Sequence, residues 1–561
     1  MVTDLIPCRE FPEAFHPLAC AFAEDPAFVD ARFPSTAEFR RTPQSLLRPP
    51  LAPAHSEGLV RALRESTLPE LSPLQQQHFH ELASGSAFAV VTGQQVGFLG
   101  GALYTALKAV AAVVLAHQLR QQLARPVVPI FWVEDNDSDG REAGTILWWA
   151  ADGSLYELCA ASDAELRQPL ASSDRILHPG GLWQEALERI LPEVPEELAQ
   201  ILRQAYRPGN SWSSAFTALM QWFLADTGIL FLRSSQARQH GLFIPLLERA
   251  LEAHTELAAA LATATSWLQK HGYPVPIVPS LPLLHFHTPE GYRYRIRRLS
   301  DGSYTIAQRR YSETELRELF RAHPTAFAPT ALLRPLCQDA LMPSIAVVLG
   351  PGELAYWSQL RELYAALQIP MPAVFLRPSA TVIPPVLQRW LARSNWNARS
   401  FLAPWDSIER RLLTELPLLQ EVERSLAALR EHIEQWYEQS LSPVRQTDTT
   451  LLPSLGATRH RLEEALQRWE RRFRAALRRR ADTLLQRARR IWAFLYPNGH
   501  PQERLLGWLQ LGTLCGFEQL RHLLSSVATV PPAVHAIVFA PAQAAAPAAS
   551  PAAHTVESPP Q

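Results

Sequence analysis

A glycine- and glutamine-rich segment, Thr92-Gly-Gln-Gln-Val-Gly97 followed by Gly100-Gly101, has the composition of a ligand-binding loop. Glycines let the backbone approach a ligand closely, and a helix that starts after them presents N–H groups to an anion. Lys108, one of only two lysines in the chain, lies about two turns further on. The segment matches neither the Walker A nor the GxGxxG pattern, so a tight strand-to-helix turn explains it equally well.

A second segment, Trp132-Val-Glu-Asp-Asn-Asp-Ser-Asp139, places four acidic residues within six positions. Carboxylates at that density could hold Mg²⁺, orient an amine or accept a proton. The spacing differs from that of an EF-hand loop, which argues against a structural calcium site. Taken alone, the segment is explained more simply as a solvated acidic turn.

A third set of candidates lies in Arg334-Pro-Leu-Cys-Gln338, Gly350-Pro-Gly-Glu353-Leu-Ala-Tyr356-Trp357 and Arg377. A Gly-Pro-Gly turn at a strand end is well placed to contact a ligand. Arg334 and Arg377 could each bind a carboxylate or a phosphate through a bidentate fork, and a structural salt bridge is the alternative for each. Cys337 has no assignable histidine partner, so we interpret it as a buried apolar side chain.

The elements around these residues predict a parallel sheet. Residues 87–92 and 126–133 are apolar runs typical of buried strands, and residues 102–122 between them have helical spacing. The same order of strand, turn, helix and strand is predicted further on: a strand over 345–349, a turn at 350–353, a helix from about 355 and a strand within 370–383. Ligands of such βαβ units bind at the carboxyl ends of the strands. The glycine loop and the acidic run occupy such ends, so we expect them to face one cleft.

Other regions give a coarser prediction. Residues 1–85 predict helices broken by prolines. Within 144–330 we expect a hairpin at Asp152-Gly153, a helix and a strand separated by Gly228, and two strands joined at Asp301-Gly302. His285 and His287 alternate along one strand, which indicates half-exposed sheet residues rather than a metal site.

The C-terminal third predicts a helical hairpin. From Leu419 to Trp436 apolar residues recur at the alternating spacing of a heptad seam, and 456–495 predicts a second long helix after a loop. An antiparallel coiled coil that acts as a dimerisation arm is the natural interpretation. The second helix is rich in arginine, and we expect these side chains to pair with glutamates of the first helix; contact with nucleic acid is the alternative.

Composition narrows the classes of function. The 561 residues are 47% hydrophobic and 19% charged, and their net charge of −1 excludes a globally basic nucleic-acid binder. Five scattered cysteines without a CxxC pattern predict neither a disulfide framework nor a zinc site and favour the cytoplasm. We expect no signal peptide and no membrane span, and the Ala/Pro-rich tail at 541–561 predicts disorder.

Taken together, these segments resemble the bacillithiol-biosynthesis cysteine ligase family. The similarity lies in Thr92–Gly97 with Gly100, Leu103 and Tyr104; in Phe131–Val133 with Asp137 and Asp139; in Leu333–Asp339 with Pro343; in Gly350–Trp357 with Gln359; in Pro370–Pro372 with Arg377; and in Pro501–Arg504. These motifs occur in the expected order, from near the start of the chain to about residue 538.

The resemblance implies an α/β fold with a Rossmann-like parallel-sheet core, akin to class I aminoacyl-tRNA synthetases. It also implies inserted connecting segments and a C-terminal antiparallel α-helical coiled coil. We therefore expect a core over 1–400 with insertions at roughly 144–330, a coiled-coil hairpin over 405–500 and a small helical and strand segment over 501–540.

The resemblance further implies a cytoplasmic, homodimeric ligase that joins L-cysteine to glucosaminyl-malate and binds neither nucleic acid nor membrane. ATP would activate the cysteine carboxylate, with Mg²⁺ as an accompanying ion. Asp137 and Asp139 are the implied catalytic residues. The implied residues for binding substrate or nucleotide are Gln94, Gln95, Gly97, Gly100, Gly101, Tyr104, Lys108, Trp132, Arg334, Gln338, Gly350, Gly352, Glu353, Tyr356, Trp357 and Arg377.

Some positions depart from the family pattern. Where the family has Glu-Asp-His-Asp, this chain has Asn136-Asp137-Ser138-Asp139, and the family's asparagine before the Leu-Leu-Arg-Pro segment is Thr330. The HxGH signature of class I synthetases is absent, and Gln94-Gln95 occupies the corresponding loop. Three alternatives to a ligase stay open: a paralogue that binds the ligand without turnover, a coiled-coil scaffold, and a nucleic-acid binder that acts through the arginine-rich helix.

Overall fold

The computed structural model describes residues 2–34, 53–67, 70–136, 140–150, 152–166, 176–289, 292–394 and 396–541. The chain forms two compact units: Met1–Trp148, Tyr156–Arg389 and Gln502–Gln561 make up the first, and Trp149–Leu155 and Trp390–Pro501 the second. Residues 501–540, which we expected as a small separate segment, thus belong to the first unit almost entirely. The predicted tail lies outside the described residues from position 542 onward.

The strands and helices of the described residues are as follows. The strands are β1 (Val2–Pro7), β2 (Phe88–Gln95), β3 (Val127–Glu134), β4 (Thr145–Trp149), β5 (Leu155–Cys159), β6 (Leu230–Arg233), β7 (Leu284–His287), β8 (Arg293–Arg295), β9 (Arg297–Arg298), β10 (Tyr304–Ile306), β11 (Arg309–Tyr311), β12 (Phe327–Pro329), β13 (Ser344–Leu349), β14 (Ala373–Leu376), β15 (Ser379–Ile383) and β16 (Val534–Phe539). The α-helices are Pro17–Glu24, Pro26–Arg32, Pro53–Ser66, Pro73–Ala83, Leu103–Leu123, Gly140–Gly144, Asp163–Leu166, Leu182–Ile190, Glu196–Ala205, Trp212–Phe223, Ser234–Gln239, Ile244–Glu252, His254–Lys270, Glu313–Ala322, Arg334–Leu341, Pro351–Trp357, Arg361–Ala366, Pro385–Ser394, Trp405–Thr414, Pro417–Thr447, Leu452–Arg480, Asp482–Leu495, Gln502–Leu505, Trp508–Cys515 and Phe517–Val527.

A five-stranded parallel sheet, in the order β14-β13-β2-β3-β6, lies at the centre of the first unit. The predicted βαβ unit is confirmed, because β2 and β3 pair in parallel and the helix Leu103–Leu123 connects them. Apolar side chains of the helix and strands, among them Val90, Leu119 and Val348, form a buried core. The carboxyl ends of all five strands lie at one edge of the sheet, where the following loops can build a site.

The predicted turn at 350–353 is the start of a helix. The helix begins at Pro351 rather than near residue 355, and Gly350 is its N-cap. Proline suits the first helical position because the N–H that it lacks would have no partner there. The Glu353 carboxylate accepts a hydrogen bond from the Gly350 N–H at 2.8 Å, which is the half of a capping box that a glycine N-cap allows and which fixes the Glu353 side chain.

The segment 370–383 holds two strands rather than the single strand predicted. β14 extends the central sheet, whereas β15 joins a second sheet in the order β1-β16-β15. The change of sheet occurs at Arg377-Pro378, where the proline lacks a backbone donor for ladder hydrogen bonds. β16 therefore carries the C-terminal part of the chain back beside the end of β14.

The inserted region contains more strands than predicted. β7 pairs with β8 and β12, and β9, β10 and β11 form another small sheet, with Asp301-Gly302 in the turn between β9 and β10. The predicted hairpin at Asp152-Gly153 corresponds to β4 and β5. Gly228 has a φ of 73° between the helix Trp212–Phe223 and β6, which confirms the predicted break.

The second unit contains the predicted antiparallel helical hairpin, formed by Pro417–Thr447 and Leu452–Arg480. The connection is shorter than predicted, because the first helix continues through Pro443 to Thr447 and a single turn follows. Arginines of the hairpin pair with glutamates of the facing helix, as expected: Arg474 with Glu423 at 2.5 Å and Arg430 with Glu470 at 2.7 Å. In the part of the chain that the structure describes, no helix has the length and apolarity needed to cross a membrane.

Candidate active site

A cavity of about 300 Å³ lies at the carboxyl edge of the central sheet. The ends of β2 and β3, the N-terminal turn of the helix Pro351–Trp357 and the inserted region each contribute to its wall. The predicted cleft between the glycine loop and the acidic run is therefore present, and Asn136 is the last residue of that run for which the structure shows it. Its described lining residues are Gly93, Gln94, Gln95, Trp132, Glu134, Asn136, Ser234, His285, Arg293, Ala328, Pro329, Thr330, Ala331, Arg334, Glu353 and Tyr356.

Close backbone packing explains the glycines at the end of β2. A Cβ atom on Gly93 would lie 2.7 Å from the carbonyl oxygen of Trp132, so only glycine fits beside β3. Gly100 has a φ of 83°, and its carbonyl oxygen accepts a hydrogen bond from the Trp508 indole at 2.8 Å. This second glycine thus packs against the C-terminal part of the first unit and not against the cavity.

Lys108 joins two of the loops that line the cavity. Its side chain is 1% exposed; the ammonium group donates to the Gly93 carbonyl oxygen and, at 2.9 Å, to the Gln94 side-chain oxygen. The same ammonium group forms an ion pair with Glu353. Burial lowers the pKa of Lys108, and the Glu353 carboxylate opposes that effect. One buried cation therefore connects the end of β2 with the helix that follows β13.

Arg334 presents its guanidinium group to the cavity from the start of its helix. It donates to the Gln338 side-chain oxygen at 3.2 Å and to the Tyr356 hydroxyl at 3.0 Å, and its Nε lies 3.8 Å from a Glu134 oxygen. The Glu134 carboxylate also accepts from the Trp132 indole at 3.0 Å. These contacts place a fixed cation beside a carboxylate at the end of β3, which suits binding of a polar, charged substrate.

Arg377 occupies a different environment from Arg334. It is 3% exposed, and it donates to the carboxylate of the fully buried Glu503 at 2.7 Å and to the Pro378 carbonyl oxygen. Burial alone would raise the pKa of Glu503, but Arg377 and the neighbouring donors hold it below its ordinary value. The structural salt bridge considered for Arg377 is thus present.

The cluster around Glu503 extends to the second sheet. Glu503 accepts from the Ser379 hydroxyl at 2.9 Å and from the Ala380 N–H at 2.7 Å. The His535 imidazole contacts the hydroxyls of Ser379 at 2.7 Å and Thr381 at 2.8 Å. Burial lowers the pKa of His535 to about 4, so the ring is neutral at pH 7. We refer to Arg377, Ser379, Thr381, Glu503 and His535 as the Glu503 cluster.

The inserted region contributes another part of the cavity wall. Arg293 of β8 donates to the Asn136 carbonyl oxygen, and the Asn136 amide donates to the Ser234 hydroxyl at 2.7 Å. The Thr330 side chain follows β12, is 4% exposed, and its hydroxyl oxygen has no hydrogen-bond partner among the described residues. We call Asn136, Ser234, His285, Arg293 and Thr330 the insert wall; all five line the cavity.

The prediction that both histidines of β7 are half-exposed sheet residues is confirmed for His285 and wrong for His287. His285 is half-buried and lines the cavity, whereas His287 is 7% exposed. Burial, together with the positive charges of Arg238 and Arg293, lowers the pKa of His287 to about 3. Among the described residues, no group of three or more His, Cys, Asp or Glu side chains is arranged to hold a metal ion.

Most predicted binding residues gather at or directly behind the cavity. Those that line it are Gln94, Gln95, Trp132, Arg334, Glu353 and Tyr356. Of the others, Lys108 and Gln338 bond to lining residues, and so does Tyr104, whose hydroxyl lies 3.3 Å from the Gln94 amide nitrogen. The predicted residues that do not line the cavity are Gly97, Gly100, Gly101, Tyr104, Lys108, Gln338, Gly350, Gly352, Trp357 and Arg377.

The predicted catalytic residues Asp137 and Asp139 lie outside the described residues. Cys337 is buried, and burial raises the pKa of its thiol well above the usual range, which confirms the interpretation as an apolar side chain. Sequence reasoning missed Arg293 and the role of Glu503. Arg293 lies on a strand of three residues without a distinctive motif, and Glu503 meets its partner from 126 positions away.

Comparisons with known proteins agree with this architecture. The family model "Bacillithiol biosynthesis BshC, N-terminal Rossmann-like domain" matches residues 8–378, and the C-terminal coiled-coil domain model of the same family matches residues 380–539. A Chlorobaculum tepidum protein named "Putative cysteine ligase BshC" is 30% identical over 470 residues, which cover 80% of this chain and 82% of that protein. Proteins of the same name from Koribacter versatilis and Halalkalibacterium halodurans are 29% and 28% identical, and the matches cover 83% and 84% of their lengths. With both domain models matched in order over nearly the whole chain, the protein belongs to the bacillithiol-biosynthesis BshC family.

Proposed function

We propose that this protein is a ligase that joins L-cysteine to glucosaminyl-malate, the last step of bacillithiol biosynthesis. Membership of the family supports the reaction class, and the names of the relatives supply cysteine as the substrate. The observation that carries the proposal is the cavity at the carboxyl edge of the sheet, where fixed cations and carboxylates face one another. Both substrates carry carboxylates and amines, which are the groups that such a lining binds.

The proposed reaction has two steps. A cysteine carboxylate oxygen attacks the α-phosphate of ATP, so that cysteinyl adenylate forms and pyrophosphate leaves. The amine of glucosaminyl-malate then attacks the activated carbonyl carbon, the amide bond forms, AMP leaves and a base takes the amine proton. Activation is needed because a carboxylate is a poor acceptor for an amine at neutral pH.

We assign roles from the contacts around the cavity. Gln94 and Gln95 would contact the nucleotide or the sugar, and Arg334 would hold a negatively charged oxygen of a substrate. Lys108 would keep Gln94 and Glu353 in place from behind. Asp137 and Asp139 remain the proposed catalytic carboxylates, which would orient the amine or accept its proton.

ATP would bring Mg²⁺ with its phosphates. The described residues offer separated carboxylates rather than a cluster of three ligands, so we assign no protein-bound position to the ion. Mg²⁺ commonly binds through one or two carboxylates together with substrate phosphates. When bound, it would neutralise charge on the departing pyrophosphate.

The test is an assay of the pure protein with L-cysteine, glucosaminyl-malate and Mg·ATP. We expect mass spectrometry to detect the amide product together with AMP, and an Asp137→Ala variant to form at least about 100-fold less. Asp152→Ala, which changes an exposed turn residue, serves as the matched control. ADP in place of AMP would contradict the adenylate, and absence of the amide would contradict the ligase.

A binding paralogue without turnover is the second candidate, and Asn136 is the observation that favours it. Its side chain bonds to Ser234 and to Arg238 at 3.3 Å, so this position supplies an amide held on both sides and no carboxylate. Such a protein would show melting-temperature shifts with glucosaminyl-malate but would form no amide product.

We also propose that the hairpin of the second unit mediates a homodimer. Leu429, Trp436, Leu462 and Trp469 are each more than 40% exposed, although they lie on the predicted apolar seam or the facing helix. Exposed apolar side chains repeated along a helix pair are typical of an interface. Light scattering should give twice the chain mass for the wild type, and Trp436→Glu with Trp469→Glu should give the single mass. A single mass for the wild type would contradict the dimer.

A further inference from the structure

We propose that the insert wall is a carboxylate subsite that holds the malyl group of the acceptor. This inference rests on the proposed function, because it names where one of the two substrates binds. The sequence pointed to Arg334 and Arg377 as a pair of carboxylate forks, but Arg377 lies in the Glu503 cluster. Arg293 is the second guanidinium group among the described residues that line the cavity.

Arg293 is held in position from the protein side. Its guanidinium group donates to the Asn136 carbonyl oxygen, and Asn136 is in turn fixed by Ser234 and Arg238. A guanidinium group that is anchored from the protein side keeps its planar fork in one orientation, which lowers the entropy cost of binding a carboxylate.

Thr330 provides a second, independent sign of a ligand on this wall. Its buried hydroxyl oxygen has no hydrogen-bond partner in the described part of the chain, yet the side chain lines the cavity. Buried hydroxyls in native proteins normally have a partner, because leaving one unsatisfied destabilises the fold. A ligand oxygen bound beside Arg293 would satisfy it.

Arg293 gives the insert wall a positive charge, which attracts an anion. The Glu134 carboxylate also reaches this wall, because it accepts from the Asn136 N–H at 3.2 Å, but its charge is paired with Arg334. A ligand carboxylate is therefore attracted to Arg293.

Both substrates carry a carboxylate, so the assignment to the acceptor needs an argument. The cysteine carboxylate must lose its charge when it is activated, and a guanidinium clamp would stabilise the form before activation. The malyl carboxylates keep their charge throughout the reaction. A permanent anchor at Arg293 therefore fits the acceptor and leaves Arg334 for cysteine or the nucleotide.

The first experiment measures binding by calorimetry with ATP and cysteine absent. We expect glucosaminyl-malate to bind the wild type, methyl glucosaminide to bind at least 10-fold more weakly, and Arg293→Gln to bind glucosaminyl-malate about 10- to 100-fold more weakly. Arg297→Gln, which changes an exposed arginine of the next strand, is the matched control and should bind as the wild type does. Equal affinity of Arg293→Gln and wild type would overturn the proposal.

Thr330→Val separates a binding role from a structural one. The change removes an unsatisfied buried hydroxyl, so the melting temperature should stay the same or rise, while affinity for glucosaminyl-malate should fall about 3- to 10-fold. A lower melting temperature with unchanged affinity would mean that Thr330 only packs, and would contradict the subsite.

Steady-state kinetics identify which carboxylate is held. In Arg293→Gln the KM for glucosaminyl-malate should rise about 10- to 100-fold and the KM for cysteine should stay constant. A rise in the cysteine KM alone would overturn the acceptor assignment. Loss of binding in Arg293→Gln, combined with a wild type that forms no amide, would support the subsite while the ligase proposal failed.

Discussion

The first unit contains two arginine–glutamate pairs of contrasting character. Arg377 and Glu503 lie 2.7 Å apart with side chains 3% and 0% exposed, whereas Arg334 and Glu134 lie 3.8 Å apart at the cavity with side chains 14% and 17% exposed. Besides the bond from Arg377, Glu503 accepts two hydrogen bonds, from the Ser379 hydroxyl and the Ala380 N–H of β15, so the pair connects the central sheet to the second sheet. The looser pair beside the cavity keeps its charges within reach of a substrate.

The comparison teaches that residue type alone does not assign a role to an arginine. Arg334 and Arg377 both lie in motifs that resemble those of the family, and the guanidinium group of either could bind a carboxylate. Burial decides between them, because a buried charge requires a partner in the fold and a charge at a cavity can exchange its partner for a ligand.

The largest expected effect is on folding. Glu503→Gln leaves the Arg377 charge buried without a counter-charge and should lower the free energy of unfolding by about 3–5 kcal/mol. Glu134→Gln, the matched change in the looser pair, should cost less than about 1 kcal/mol. Urea unfolding of the full chain measures both, and equal losses would show that the two pairs do not differ in kind.

The pH dependence of stability sharpens the same contrast. His535 has a pKa of about 4 in the folded protein and about 6.5 when unfolded, so only the unfolded state takes up this proton between those values. The contribution of neutral His535 to the free energy of unfolding is therefore fully present above pH 6.5. It is lost as the pH falls toward 4, and the loss is about 3 kcal/mol at most.

The test compares unfolding free energies at several pH values between 4 and 7. In His535→Gln the slope of the unfolding free energy against pH should be smaller, by the equivalent of up to one bound proton. His500 is an exposed histidine, and His500→Gln should have the slope of the wild type. An unchanged slope in His535→Gln would mean that the imidazole is not held neutral in the Glu503 cluster.

Lys108 links the cavity loops, so its removal should affect turnover more than a surface change would. Lys108→Met deletes the contacts to Gly93, Gln94 and Glu353, and we expect kcat/KM to fall about 10- to 100-fold. Lys270→Met, at the exposed end of a helix, should retain wild-type kinetics and is the matched control. Wild-type kinetics in Lys108→Met would refute the positioning role.

The exposed ion pairs of the helical hairpin should matter least. Arg474 is 41% exposed and pairs with Glu423 and Glu470, and Arg474→Ala should cost about 0.2–1 kcal/mol, less at high salt. Thermal melting in low and high salt measures this effect. A loss as large as that of Glu503→Gln would show that the hairpin pair is buried in the assembled protein.

Local sequence patterns predicted the βαβ unit and the hairpin because their apolar periodicity is contained within each element. β1 was missed, and β15 was merged with β14 into one predicted strand, since β1 and β15 each pair with β16, whose residues follow more than 150 positions after β15. The loop expected around Pro443 is helical, because the flanking residues of a long helix tolerate the one hydrogen bond that proline removes.

The candidate site likewise contains features that local sequence predicts and features that depend on distant residues. The glycine loop and the acidic run after β3 could be placed at one cleft from strand topology, and the Gly-Pro-Gly turn could be placed at a strand end. The role of Arg377 is set by its ion pair with Glu503, which is distant in sequence. The insert wall is set by the packing of a small three-stranded sheet against the cavity. Local residue spacing encodes neither contact. Tertiary partners, rather than the motifs themselves, separated the arginines that line the cavity from the one that is paired within the fold.

The most direct test of the account compares Arg334→Gln with wild type in amide formation and in thermal melting. The account predicts that kcat/KM falls about 10- to 100-fold, because a charge-assisted contact to the substrate is lost, while the melting temperature changes little. Wild-type kinetics, or a melting temperature lowered as much as in Glu503→Gln, would contradict the claim that Arg334 acts at the cavity and Arg377 in the fold.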